Sequence, residues 1–188
     1  WGDLFRIDFQ MLSVLRKQLL KLTNNKLKTL LVSATLSEEV TEMLSEQFAE
    51  GDNLIEIRSD TLRDEILYYY HSCFSVGERI QRFEEILPLL PRPFIVYVGT
   101  KRDAEIYYQR IIENGYFRVA QFTGDSVPKQ REQMIKDWKN NEIDMIVATS
   151  AFGVGVDKKD VRAVVHLYMP PSVDRFYQEV GRGGRDGY

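Results

Sequence analysis

The sequence predicts an α/β fold, a parallel sheet with helices on both faces, and three observations carry that expectation. Short apolar runs of strand length recur along the chain, at 29–32, 94–98, 119–122, 145–148 and 163–167. Segments with apolar residues at helical spacing stand between them. Capping and turn residues mark the changes from one to the other. Strands alternating with helices of this length fold as parallel strands with crossover helices.

In chain order, Leu12, Leu15, Leu19 and Leu22 share one face, so an amphipathic helix is expected near 8–22. The apolar run 29–32 reads as a buried strand, followed by a Ser33-Ala34-Thr35 loop. Thr35 with Glu38 fits a capping box, and Val40, Met43, Leu44 and Phe48 continue one helical face. Residues 53–58 alternate like a second strand. A polar stretch, Leu62-Arg63-Asp64-Glu65, and an aromatic, extended one, 66–74, come next. Ser75 with Glu78 forms another capping box ahead of a helix marked by Ile80, Phe83 and Leu87. Pro88, Pro91 and Pro93 end it and lead into the strand 94–98.

A helix over Lys101–Glu113 places Ala104, Tyr107, Tyr108 and Ile111 inward and is closed by Asn114-Gly115. The strand 119–122 follows. A helix then starts at Pro128, a favoured first helical residue, and uses Met134, Ile135 and Trp138. Strands 145–148 and 163–167 and a last helix over Val173–Val180 complete the pattern. Residues 74–188 thus supply a whole domain, whereas 1–58 supply only two strands, which are marginal alone. The reading is that 1–58 form the C-terminal part of a preceding α/β domain, 59–73 a connector, and 74–188 a second domain.

Composition narrows the function classes. The 188 residues are 44% hydrophobic and 28% charged with a formal net charge of -3, an ordinary folded composition. That balance argues against coating nucleic acid through bulk charge, though not against gripping it at a few placed contacts. Cys73 is the only cysteine, so neither an intramolecular disulfide nor a thiolate-rich zinc site can form within the chain. His71 has no evident ligand partner, and no metal site is expected. No apolar run approaches a membrane span, so a cytoplasmic location is expected, nucleoid- or nucleus-associated where the source has one. The sequence opens on Trp1 rather than methionine and reads as a fragment.

Two segments carry chemistry. Gln178-Glu179-Val180-Gly181-Arg182-Gly183-Gly184-Arg185-Asp186-Gly187 sets two arginines three apart among glycines at a helix end. Glycine lets backbone approach a partner closely, and the arginine fork suits phosphate oxygens. Upstream, Asp144-Met145-Ile146-Val147-Ala148-Thr149-Ser150-Ala151-Phe152-Gly153-Val154-Gly155-Val156-Asp157 is a buried strand ending in a Thr/Ser pair, a glycine turn and an acid. Ligands of open parallel sheets bind beyond strand carboxyl ends, which is where such a turn is expected. Either segment alone could be a plain flexible loop or a tight turn.

Together they resemble the motifs of superfamily 2 helicases, the RecQ family in particular. Residues 147–166 resemble motif V and 177–187 motif VI, with Gly183 where the usual form has alanine. Ser33-Ala34-Thr35 is similar to motif III, 94–101 to motif IV, and Phe122-Thr123-Gly124-Asp125 to the nucleic-acid-binding turn that follows it. The opening WGDLFRIDF resembles the aromatic-rich loop, with Asp3-Leu4 and Ile7 replacing the usual His-Asp and Pro. The resemblance covers nearly the whole chain in the family's order.

It implies RecA-like domains: the second helicase lobe plus the C-terminal part of the first, belonging to an ATP-dependent 3′ to 5′ DNA helicase. Arg182 and Arg185 would be arginine fingers with Gln178 beside them. Gly155 and Asp157 would line the nucleotide, the acid reaching toward the ribose. Trp1, Phe5, Arg6, Thr100, Lys101, Thr123, Gly124 and Thr149 would contact single-stranded or partly duplex DNA. Ser33 and Thr35 would couple the two sites. ATP and Mg2+ would be bound mainly by residues outside these 188, since neither a G-x-x-x-x-G-K-[ST] loop nor a D-E-x-H segment is present. The segment alone is therefore expected to be inactive. Two alternatives stay open: a RecA-like nucleic-acid- or protein-binding module without motor activity, and an RNA helicase lobe, disfavoured by Gln178-Glu179 where those relatives carry histidine and arginine.

Among other residues, Trp138, Met134 and Ile135 read as core, His166 as a satisfied core histidine, Cys73 as a small buried residue, and Lys158-Lys159 as a solvated turn. Tyr68-Tyr69-Tyr70 reads as packing for the connector.

Overall fold

The computed structural model describes residues 7–33, 37–49, 54–59, 63–152 and 156–187, with side chains from Met11 onward. The chain forms two compact units, Trp1–Thr61 and Leu62–Tyr188.

The first unit contains helices α1 (Ile7–Leu22) and α2 (Glu38–Phe48). The Thr23 hydroxyl donates to the Leu19 carbonyl at the end of α1 (2.8 Å), and Arg16 Nε donates to Thr29 Oγ1 (2.8 Å). The cap of α2 is Ser37, whose Oγ accepts from the Val40 amide, with Glu38 and Glu39 complementing the helix dipole in the first turn. The expected cap, Thr35, lies outside the described residues. The strands expected at 29–32 and 53–58 do not form among the described residues. Leu30 is 84% and Ile57 94% exposed. A strand exists only as a member of a ladder, and no described segment of this unit pairs with either run.

The second unit contains α3 (Val76–Ile86), β1 (Phe94–Tyr97), α4 (Lys101–Glu113), β2 (Val119–Phe122), α5 (Pro128–Lys139), β3 (Met145–Ala148), β4 (Ala163–His166) and α6 (Val173–Val180). The four strands form one parallel sheet in the order β2-β3-β1-β4. The last registered row is Phe122, Ala148, Tyr97 and His166. Alternate side chains of β1 feed two cores. Phe94, Val96 and Val98 pack with Phe83 of α3 and Ala104, Tyr107 and Ile111 of α4. Ile95 and Tyr97 pack with Trp138 of α5, Phe152, Val156 and Val161 on the opposite face. This is the α/β sheet with helices on both faces that the sequence predicts, and its architecture is RecA-like.

Capping chemistry sets the helix starts. Ser75 Oγ accepts from the Glu78 amide, and Glu78 Oε2 accepts from the Phe74 amide. Thr100 caps α4 and Ser172 caps α6. Among the described residues no helix is long and apolar enough to cross a membrane.

Several side chains depart from expectation. Lys158 is buried rather than solvated: its ammonium bonds Asn141 Oδ1 (2.5 Å), pairs with Asp160 (3.0 Å) and lies 5.4 Å from the Trp138 ring centroid. Tyr69 and Tyr70 are exposed, while Tyr68 sits 6.1 Å from the Phe176 ring. Cys73 is only half-buried, and His71 is not isolated: ligand atoms of His71, Cys73 and Glu78 lie within 4.8 Å of one another. The capping box supplies the reason, because it folds Glu78 back onto the extended segment before α3.

Candidate functional site

The carboxyl ends of three neighbouring strands hold one group of expected residues. Phe122, Ala148 and Tyr97 form a single row, so Thr123 and Thr149 stand side by side one step beyond it, with Thr100 past the end of β1. The Thr149 amide donates to the Phe122 carbonyl (3.2 Å), which ties the two exits together. Arg131 of α5 clasps the turn by donating to the carbonyls of Thr123 (3.3 Å) and Gly124. Lys101 is exposed and pairs with Asp125, so it too leans over this turn. Thr100 has a structural duty: its Oγ1 accepts from the Asp103 amide (3.0 Å) and donates to Asp103 Oδ2 (2.7 Å). Thr100, Lys101, Thr123, Gly124 and Thr149 thus share one polar edge. Trp1, Phe5, Arg6 and Thr35 lie outside the described residues, and Ser33 is exposed in the first unit.

The arginine segment lies at the other end of the sheet. After β3 the chain is buried again at Phe152, Val156 and Val161, against Ile95 and Trp138, so it returns along this face toward the start of β4. The Arg162 amide donates to Pro93, and the Gly184 amide donates to Val161 (2.8 Å). The loop after α6 is therefore fastened near the amino ends of β1 and β4. Asp157 follows the buried Val156 and faces this loop through Arg185.

The site's parts converge there. Arg185 NH1 donates to Asp157 Oδ1 (2.9 Å), and Arg185 Nε donates to the Gly181 carbonyl (2.9 Å). The Arg185 side chain is 38% exposed. Arg182 is turned further in. Its NH1 donates to the Val156 carbonyl (3.3 Å), and its Nε is buried without a hydrogen-bond partner among the described residues. Arg182, Arg185, Val156, Lys158 and Trp138 line one recess. Burial pushes the nearby Tyr97 phenol far up, with the Arg182 charge opposing it, and Tyr97 donates to the Phe152 carbonyl. Gln178 is exposed on the last turn of α6. Gly155 lies outside the described residues.

A buried carboxylate joins the two ends. Glu179 is 2% exposed and accepts from Arg175 Nε (2.8 Å) and Tyr168 OH (3.0 Å) and bonds His166 Nε2 (2.9 Å). Burial opposes its ionisation, but the hydrogen bonds from His166 and Tyr168 and the charges of His166 and Arg175 outweigh it. They hold the carboxyl below the usual range. Burial, together with the bond to Glu179 and its charge, pushes Tyr168 up to about 12. Arg175 also donates to the Ser150 carbonyl beside Thr149. His166 is thus the satisfied histidine expected.

Arg63, Arg131, Arg175 and Glu179 were given no site role in the sequence. Only Arg175 and Glu179 leave a trace there, the i, i+4 spacing of an ion pair. Arg131 and Arg63 act through backbone carbonyls, seven to eight residues away for Arg131 and about 120 for Arg63, which no side-chain pattern reveals.

The half-exposed Arg185 guanidinium suits a phosphate oxygen, whereas the Arg182 Nε is buried. The recess does not fit a divalent cation, because the Asp157 carboxylate there is engaged by Arg185.

The helicase conserved C-terminal domain family matches residues 78–187, more than half of the chain. The ATP-dependent DNA helicase RecQ of Bacillus subtilis is 29% identical over 190 residues, covering all of this chain and 30% of that protein. The ATP-dependent DNA helicase Q-like 4B of Arabidopsis thaliana is 32% identical over 196 residues, covering all of this chain and 16% of the relative. The chain thus spans a third or less of each of these relatives. Among solved structures, S. cerevisiae Dbp5 bound to RNA and ADP BeF3 superposes with a TM-score of 0.75 at 22% identity, covering 99% of this chain and 48% of that one. From the arginine loop, the strand-exit edge and these matches together, the chain belongs to the helicase conserved C-terminal domain family and is RecQ-like along its whole length.

Proposed function

We propose that this chain is the second lobe, with its connector and the end of the first lobe, of an ATP-dependent 3′ to 5′ DNA helicase of RecQ type. Residues 74–188 form that lobe, 59–73 the connector and 1–58 the tail of the first lobe. One observation carries the reading: Arg182 and Arg185 line one recess, and Asp157, far from them in sequence, pairs with Arg185 there.

ATP, with Mg2+, supplies the transferable phosphoryl group and is held chiefly by a phosphate loop and acidic segment that these 188 residues do not contain. The chain contributes positioned charge. Asp157 holds the Arg185 guanidinium at the surface, where it can exchange a carboxylate for phosphate oxygens. Arg182 adds a second positive charge from inside the recess. Such fixed charge stabilises what spreads over a transferring phosphoryl group. The edge formed by Thr100, Lys101, Thr123, Gly124 and Thr149 holds a DNA strand through its phosphates, which gives grip without reading sequence. Trp1, Phe5 and Arg6 add contacts to the strand, and Ser33 and Thr35 couple it to the nucleotide. The protein works in the cytoplasm or on the nucleoid or nuclear DNA.

The test is DNA-stimulated ATP turnover by the full-length protein. Arg185→Ala should lower it by roughly 10³-fold or more. Wild-type turnover by a folded Arg185→Ala protein overturns the finger assignment. Stimulation by RNA rather than single-stranded DNA overturns the DNA assignment.

A further inference from the structure

We propose that Arg63 is a positioning residue for the arginine loop, holding the backbone from which Arg182 and Arg185 project. It sits far from the loop in sequence, yet its guanidinium reaches three of the loop's carbonyls. NH1 donates to Gly183 (2.8 Å) and more weakly to Gly181 (3.4 Å), and NH2 donates to Gly184. Glu65 accepts from Arg63 Nε (2.8 Å) and fixes the plane of the group from the other side.

The chemistry of a helix end explains the arrangement. The last carbonyls of a helix have no partner within it and carry the negative end of its dipole. Gly181 caps α6, and its carbonyl converges with those of Gly183 and Gly184 on the one guanidinium. Gly184 adopts φ +59, which turns the backbone back so that the convergence is possible. A planar fork with fixed donor directions can span such a set, whereas a lysine ammonium is a single point charge. Arg182 lies between Gly181 and Gly183, and Arg185 directly follows Gly184, so fixing those three carbonyls fixes the direction in which both arginines leave the chain. Arg185 also donates to the Gly181 carbonyl that Arg63 uses. The consequence for phosphate rests on the function proposed above; the clamp on the backbone does not.

The experiment has two independent arms. In the first, amide hydrogen exchange is followed for wild type, Arg63→Ala and Arg63→Lys. Exchange at 181–185, including the Gly184 amide bonded to Val161, should speed up in both variants while β1 and β3 stay protected. Unchanged exchange at 181–185 overturns the clamp. In the second, the full-length protein is assayed for DNA-stimulated ATP turnover. Both variants should lose roughly 10-fold to 100-fold in kcat, with KM for ATP and DNA affinity little changed. The double variant Arg63→Ala with Arg185→Ala should lose clearly less than the product of the two single losses, since only Arg182 is left to position. Losses that multiply overturn the positioning role. If Arg185→Ala itself turns over normally, the proposed function fails while the exchange arm still decides the clamp. Should Arg63→Ala fail to fold, Arg63→Lys carries both arms.

Discussion

Replacing Glu179 by alanine should weaken folding more than any surface substitution, and the structure says by how much. The carboxylate is 2% exposed and serves three neighbours, Arg175, Tyr168 and His166. Removing it leaves a guanidinium and two polar groups facing an apolar hole. Breaking a buried pair from one side costs about 3–5 kcal/mol, because the partner stays buried and unmatched. Against a typical domain stability of about 5–15 kcal/mol, that is a large share. In a domain of this size each kcal/mol lowers the melting temperature by about 3–5 °C, so a fall of roughly 10–20 °C is expected. Urea unfolding and scanning calorimetry of the chain measure it. A Glu179→Ala protein within about 1 kcal/mol of wild type would refute the account of this network. Glu179→Gln should fall between the two, since the amide keeps one acceptor but turns donors toward Arg175. The pH dependence has a fixed sign. The folded carboxyl ionises below its ordinary value of 4.5, so its contribution is complete above 4.5 and fades as pH falls through the folded value. Wild type should therefore lose stability on acidification more steeply than Glu179→Gln.

Two further predictions concern packing. A Cβ on Gly183 would meet nothing closer than the Val180 carbonyl at 3.5 Å, so Gly183→Ala should stabilise by about 0.4–1 kcal/mol through the unfolded chain. Gly184→Ala, at φ +59, should destabilise by about 1–2 kcal/mol; equal melting shifts for the two would contradict the loop geometry. Trp138 is fully buried beneath the recess, and Trp138→Ala should cost about 3–5 kcal/mol in urea unfolding. Trp138→Phe should cost distinctly less, because the indole N–H it removes has no partner among the described residues.

The second unit was legible because its signals are local. The run Met145-Ile146-Val147-Ala148 could only be a covered strand, and Ser75, Pro128 and Asn114-Gly115 punctuate helices through their own backbone chemistry. The first unit's strands were misread because apolar content supplies only one half of a strand and its neighbour supplies the other. The paired arginines were legible as a motif, but their unequal settings were not. Whether a guanidinium faces solvent or the interior depends on Val156 and Asp157, more than twenty residues away. The pairing of Asp157 with Arg185 was hidden for a related reason: it depends on Val156 and Val161 packing the chain after β3 against the sheet.

Helix α6 has one further consequence. Eight residues span about 12 Å, close to the roughly 13 Å of a four-residue strand. Near one tip Arg175 hooks the Ser150 carbonyl, and from the other tip springs the glycine-hinged pair. A short helix braced by a buried carboxylate behaves as a spar. The chain after β3 and the arginine loop are thus tied to opposite tips of one rigid piece.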